Sequence, residues 1–267
     1  MTQQREFRHL LDEAQPIPGG LGFEVSEDWL QGRTTFGGLQ AAMAVRAMRT
    51  LVPDEVPLRV LQTTFIGPVP RGPVTVTVSL LRSGKSVSHV EARLRSGDDI
   101  CCVAIGVFGK ARDSALQIAA REYPVLPEPA TLKELPFVPG VTPSFTRHYR
   151  FLWAEGSWPF SGAARPKTGI YLQQRSGPVT TELEAIAMAD TIPSPGISML
   201  KKPTPASSLT WTLEFLQTDF ADSGDGYWLM DAEVTDGADG YFCQTAVLWN
   251  AARRVCALSR QSVTIFG

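Results

Sequence analysis

At 267 residues the chain has room for one large domain or two of ordinary size. Its 43% hydrophobic and 19% charged content is that of a globular protein, and a net charge of −2 leaves no basic field to hold nucleic acid. No apolar run approaches the roughly 20 residues needed to cross a bilayer, and Met1 to His9 lacks the apolar core of a secretory signal, so a cytoplasmic protein without a membrane partner is expected.

Residues 1 to about 20 read as a short N-terminal helix closed by Pro16, Pro18, Gly19 and Gly20. A strand around Gly22 to Val25 follows, then Trp29. From Leu39 to Leu51 the pattern is strongly helical, with Ala41, Ala42, Ala44 and Ala47 covering several faces. A helix clad in alanine can be approached closely from all sides, which predicts that a sheet wraps it. Pro53 and Pro57 end it. Four segments rich in Val, Thr, Ile and Leu come next, separated by Pro68 to Pro73, Ser83-Gly84-Lys85 and Ser96 to Asp99, and short loops predict antiparallel neighbours.

Residues 111 to 145 form a proline-rich connection expected to cross the surface between two units. The second unit opens with strands near Thr146 to Trp153 and Gly169 to Gln174. Its helix runs from about Thr180 to Asp190, capped by Thr180 or Thr181, with Glu182 and Glu184 complementing the positive helix end. Strands follow from Leu209, Tyr227, Gln244 and Val255. The expected organisation is an N-terminal unit over 1–112, a linker over 113–145 and a C-terminal unit over 146–267.

The order of elements, helix then four strands, occurs twice. Ala92 and Leu94 match Ala246 and Leu248 at a spacing of 154, and Cys101 matches Cys256 at 155. Two similar units fused in one chain can build an active site in the groove between them, which points to an enzyme or a small-molecule binder. Cys101, Cys102, Cys243 and Cys256 lack CxxC spacing and nearby histidines, so buried free thiols are expected; His9, His89 and His148 are too scattered for a metal site.

Five segments carry a family resemblance: Gly32-Arg-Thr-Thr-Phe-Gly-Gly, Phe65-Ile-Gly-Pro, Ala187-Met-Ala-Asp-Thr, Ser207-Ser-Leu-Thr-Trp-Thr-Leu-Glu-Phe and Val255-Cys-Ala-Leu-Ser-Arg-Gln. In this order and spacing they resemble the acyl-CoA thioesterase II family. The resemblance implies an α+β double hot-dog fold, two helices each wrapped by an antiparallel sheet. It implies an acyl-CoA thioesterase of lipid metabolism, with no cofactor and no metal. The catalytic set it implies is Asp190, Ser208, where serine replaces the family's more usual threonine, and Gln261, gathered on a water molecule. Phe36, Gly37 and Gly38 are the implied substrate-binding residues. The repeat-equivalent of Gln261 is Gly106, at a spacing of 155, so one site per chain is expected. The sequence departs from the family's pattern in three places: Leu39 follows the glycine pair, Val60-Leu61-Gln62 lacks a histidine, and Thr191 to Gly196 is rich in proline.

Thioester hydrolysis needs a positioned water, an acceptor for its proton and donors for the carbonyl oxygen. Asp190 suits the acceptor, the Gln261 amide both donates and accepts, and Ser208 adds a hydroxyl. Backbone amides where Gly37-Gly38 enters a helix are the expected oxyanion donors. Each residue also has a structural reading: Asp190 as a loop cap, Ser208 as turn chemistry, Gln261 as a solvent-facing strand residue, the glycines as packing. The rivals are a non-catalytic acyl-CoA or lipid binder and an acyl-CoA hydratase, the latter lacking a histidine at either helix start. A homodimer through exposed sheet edges or faces is expected.

Overall fold

The computed structural model describes residues 5–116, 118–220 and 226–266, so residues 1–4 of the expected first helix lie outside it. Three helices, α1 (Phe7–Asp12), α2 (Gly37–Met48) and α3 (Glu182–Met188), accompany fourteen strands. The N-terminal strands are β1 (Gln15–Ile17), β2 (Gly20–Val25), β3 (Leu30–Gln31), β4 (Thr34–Thr35), β5 (Leu58–Phe65), β6 (Gly72–Ser83), β7 (Val87–Ser96) and β8 (Asp99–Gly109). The C-terminal ones are β9 (Tyr149–Gly156), β10 (Lys167–Gln174), β11 (Ala206–Phe215), β12 (Trp228–Ala238), β13 (Tyr241–Trp249) and β14 (Val255–Ile265).

All but β3 and β4 join one antiparallel sheet in the order β1-β2-β6-β7-β8-β5-β11-β14-β13-β12-β10-β9. Read outward from its centre, the sheet has the same topology twice: β5-β8-β7-β6-β2 on one side and β11-β14-β13-β12-β10 on the other. The halves meet where β5 pairs with β11, with Thr63 opposite Trp211. This is the double hot-dog that the family resemblance implies.

The expected neighbour pattern holds for β6-β7-β8 but not for β5 and β6. Pro68 to Pro73 is not a hairpin turn. Val69 is tied instead to the entrance of α2, its carbonyl accepting from the Thr35 amide and hydroxyl and its amide donating to Thr34 Oγ1. The chain therefore crosses to the other side of the unit, and β5 is left free to make the junction.

The helix α2 starts two residues earlier than its periodicity suggests, so the glycine pair forms its first turn. From Gly38 to Met48 every residue but Arg46 is buried, as alanine cladding inside a sheet requires. Its partner α3 begins with a capping box, Thr181 Oγ1 accepting from the Glu184 amide while the Glu184 carboxylate accepts from the Thr181 amide. The two helices lie antiparallel. At one end Arg49, just past α2, donates twice to Glu182 at the start of α3, 2.6 Å for each bond; at the other, the first turn of α2 meets Ala187.

The proline-rich connection leads from β8 to β9 and is fastened on the C-terminal side. Tyr123, Leu126 and Leu132 pack with Leu152, Tyr171, Leu229, Val247 and Trp249 on the outer face of the C-terminal sheet. Covering that apolar face buries side chains the alternation would otherwise leave in water. The cysteines are free thiols, and β13–β14 register places Cys243 opposite Ser262, away from Cys256. Among the described residues no helix is long and apolar enough to cross a membrane.

Candidate active site

A carboxylate just beyond a helix C-terminus faces the negative end of that helix's own dipole. Asp190 stands two residues past α3, and the antiparallel packing of the helices supplies the compensation. Its carboxylate lies against the first turn of α2, where the Gly38 N–H stabilises the charged form. The glycines are there for space. A Cβ on Gly37 would lie 2.7 Å from Asp190 Oδ2 and 3.1 Å from the Phe65 ring. One on Gly38 would lie 2.6 Å from the Phe36 ring and 3.0 Å from Ala187 Cα. Neither glycine has positive φ.

Gln261 comes to the same place from β14. Its Nε2 donates to Asp190 Oδ1 at 2.7 Å. Burial pushes the Asp190 carboxyl up to about 7, with the Gln261 and Gly38 hydrogen bonds pulling the other way. A carboxyl with that balance exchanges a proton near neutrality, as a general base must. Gln261 is itself buried, not facing solvent. Its Oε1 accepts from Gln244 Nε2 at 2.7 Å, and Gln244 Oε1 accepts from Ser194 Oγ at 2.7 Å.

Asp190, Gln244 and Gln261 line a small cavity of ≈ 10 Å³, about the space of one water molecule, together with Ser259, Ile192, Met230 and Ala232. Its lining combines polar groups with apolar ones.

Ser208 has a different standing. A bulge between Ser208 and Thr210 shifts the alternation of β11, so that Ser208 pairs with Val263 and shares the inner face with Trp211 and Gln261. Its hydroxyl makes no hydrogen bond to Asp190 or Gln261, and Ser208 does not line the cavity. Phe36 is fully buried and stacks on Phe145 at 4.0 Å, which makes it the floor beneath Gly38 rather than a contact surface. The Gly38 amide is directed at Asp190, and Gly37 is the first residue of α2, where the amide has no partner within the helix. His148 pairs with Asp28 at 3.0 Å and stacks on Trp29, and His89 projects from the face of β7 opposite to buried Val90 and Ala92; neither serves Asp190.

Sequence reasoning missed Gln244, Ser194 and Phe65. The repeat holds a signal for the first. At the spacing of 154 shared by Ala92 and Ala246, Gln244 answers to Val90, a polar residue for an apolar one. Register agrees, since Val90 faces Gly106 where Gln244 faces Gln261.

Residues 25–109 match the acyl-CoA thioesterase N-terminal domain and residues 126–265 the acyl-CoA thioesterase C-terminal domain. Among solved structures the chain is similar to a conserved protein with hot dog fold from Alicyclobacillus acidocaldarius (20% identity, 99% of each chain, TM-score 0.88). It is also similar to the acyl-CoA thioesterase II TesB2 of Mycobacterium marinum (15% identity, 98% of each chain, TM-score 0.76). The tesB protein of Mycobacterium avium subs paratuberculosis aligns over 98% of each chain at 16% identity, with TM-score 0.77. At such identities these likenesses speak for the fold. No curated protein matches the sequence.

Proposed function

The chain belongs to the acyl-CoA thioesterase family and is a thioester hydrolase, and from that premise we propose that it cleaves acyl-CoA with a water molecule activated by Asp190. The water's oxygen attacks the thioester carbonyl carbon while Asp190 takes its proton. The carbonyl oxygen becomes an oxyanion, for which the Gly37 N–H at the positive end of α2 is the nearest donor of the right kind. Collapse of the tetrahedral intermediate breaks the C–S bond, and the proton held by Asp190 passes to the departing thiolate. Gln261 keeps the carboxylate aimed, and Ser208, on the same sheet face, completes the set when substrate and water fill the space beside it. Apolar Ile192, Met230 and Ala232 receive the start of the acyl chain.

The observation that carries this reading is the meeting of Asp190, from the C-terminal half, with the first turn of α2 from the other half and with Gln261, at the wall of a cavity the size of one water molecule. A non-catalytic acyl-CoA binder needs no carboxyl poised near neutral pH. Thiol release, followed with a chromogenic disulfide across acyl-CoA chain lengths, tests the proposal. Wild type is expected to turn over and Asp190→Asn to bind without hydrolysis. Equal rates for the two proteins would sink it.

A further inference from the structure

We infer that Gln244 and Ser194 are positioning residues which set the end of the Gln261 amide that faces Asp190, and hence the protonation state the site holds. The inference rests on the role proposed for Asp190. Four side chains from three elements form a single line. Ser194 Oγ donates to Gln244 Oε1, Gln244 Nε2 to Gln261 Oε1, and Gln261 Nε2 to Asp190 Oδ1, each at 2.7 Å. A primary amide carries its donor and its acceptor on opposite arms, so fixing one arm fixes the other. Gln244 cannot turn without turning Gln261. Both are buried, which makes an unmatched donor–donor or acceptor–acceptor contact expensive.

The terminus makes the line reversible. A hydroxyl donates or accepts, whereas a backbone amide or a lysine in its place would lock one direction. When Asp190 gains a proton, its O–H donates to Gln261 Oε1, Gln261 Nε2 to Gln244 Oε1, and Gln244 Nε2 to Ser194 Oγ. Both amides rotate by half a turn, every donor between Asp190 and Ser194 still meets an acceptor, the Ser194 O–H turns away from the line, and no proton is transferred other than the one Asp190 binds. Carboxylate and carboxylic acid are thus both fully hydrogen-bonded, as a group that takes and returns a proton in each cycle requires. Ser194 sits four residues after Asp190 at the head of the short turn Pro195–Met199, so one segment carries both ends of the line.

The surroundings leave this line in control. The elements packed on Asp190 present neutral groups: Gly37 and Gly38 of α2, Phe65 of β5, Gln244 of β13, Gln261 of β14, and Met230 and Ala232 of β12. The titratable groups nearby are the buried Tyr149 hydroxyl of β9, which senses both Asp190 and Glu184, and Glu184 itself, which is paired with Arg8. No cation contributes to the Asp190 carboxyl.

Side-chain NMR on the whole protein reads this directly, without turnover. The Gln244 side-chain NH₂ signals are expected to titrate with the same midpoint as the Asp190 carboxyl carbon, although Gln244 does not touch Asp190, and to lose that response in Asp190→Asn. Gln244 signals that stay constant while Asp190 titrates overturn the inference. A second experiment separates hydrogen-bond direction from charge. Gln244→Glu supplies only acceptors, which turns the Gln261 amide so that Oε1 faces Asp190. The Asp190 midpoint should then rise by about one pH unit, a tenfold change in proton affinity. In a Gln261→Met background the same substitution should lose most of that rise. Equal rises in both backgrounds mean simple charge repulsion and refute the relay. Because these readouts record proton binding, they stand or fall apart from whether acyl-CoA is the substrate.

Discussion

Replacing Asp190 by asparagine removes the proposed base, and it should also stabilise the protein above neutral pH by an amount the site geometry sets. Burial raises this carboxyl from an ordinary 3.8 to about 7. Between those values the native protein holds a proton that the unfolded chain has released. Stability therefore falls as pH rises through that window and stays low above it. At 1.36 kcal/mol per pH unit, the full penalty is about 4 kcal/mol at pH 8 and nearly absent at pH 4. Asparagine keeps the shape without the charge and escapes the penalty. Its carbonyl oxygen can accept from the Gly38 N–H while its NH₂ donates to Gln261 Oε1 once that amide has turned, so the substitution leaves no donor facing a donor at any pH. Urea unfolding of both proteins should thus show the advantage of Asp190→Asn growing by about 2–3 kcal/mol from pH 5 to pH 8. A difference that stays flat across that range would show that Asp190 is not desolvated, and the account of its basicity would fail with it.

The same carboxyl sets the activity profile: since only its ionised form accepts a proton, kcat/KM should fall as pH drops below about 7. Gly37→Ala places a methyl group 2.7 Å from Asp190 Oδ2, so the carboxylate must leave Gln261 or Gly38, and kcat should drop about 100-fold or more in the thiol-release assay. Gly106→Gln, which copies Gln261 into the N-terminal half, meets Met48 Sδ at 2.6 Å and the Phe108 ring at 2.8 Å; overpacking should cost about 1–3 kcal/mol in chemical denaturation and create no second site. Arg49→Ala strips Glu182 of a bidentate partner in a poorly exposed setting and should cost about 3 kcal/mol by the same measurement, with kcat little changed.

The fold was legible because separate signals agreed: alanine over several faces of 39–51, strands parted by turn residues after it, and an order of elements that occurs twice. Topology was less so. Nothing local distinguishes Pro68 to Pro73 from a hairpin loop; what carries β5 to the far side is the tether from Val69 to Thr34 and Thr35, about 35 residues away in sequence. At the site, Asp190 and Gln261 were legible through the family resemblance and the comparison with Gly106. The position of Ser208 relative to them depends on a one-residue bulge, which reverses the facing of a strand and leaves no compositional trace. The reason Asp190 tolerates a helix C-terminus was invisible too, since it comes from another helix 150 residues earlier in the chain.

The antiparallel helix pair explains how a duplicated fold can differ at its two ends, only one of which holds the proposed site. Each end of the pair brings acidic side chains of the C-terminal half to a helix N-terminus. At the start of α3, Glu182 is held by Arg49 and Glu184 by Arg8, with the capping box using the free amides. Both carboxylates thus have an arginine as partner. At the start of α2, Asp190 meets one amide and one carboxamide, but no cation. A carboxylate with hydrogen bonds but no counter-charge is neither locked in its ionised form nor expelled from the interior. The sheet maintains the distinction. Where β14 offers Gln261 and β13 offers Gln244, β8 and β7 offer Gly106 and Val90, and Met48 fills the space over Gly106. One end of the helix pair therefore fastens the halves together, and the other is left chemically unfinished, which is the condition for it to act on a substrate.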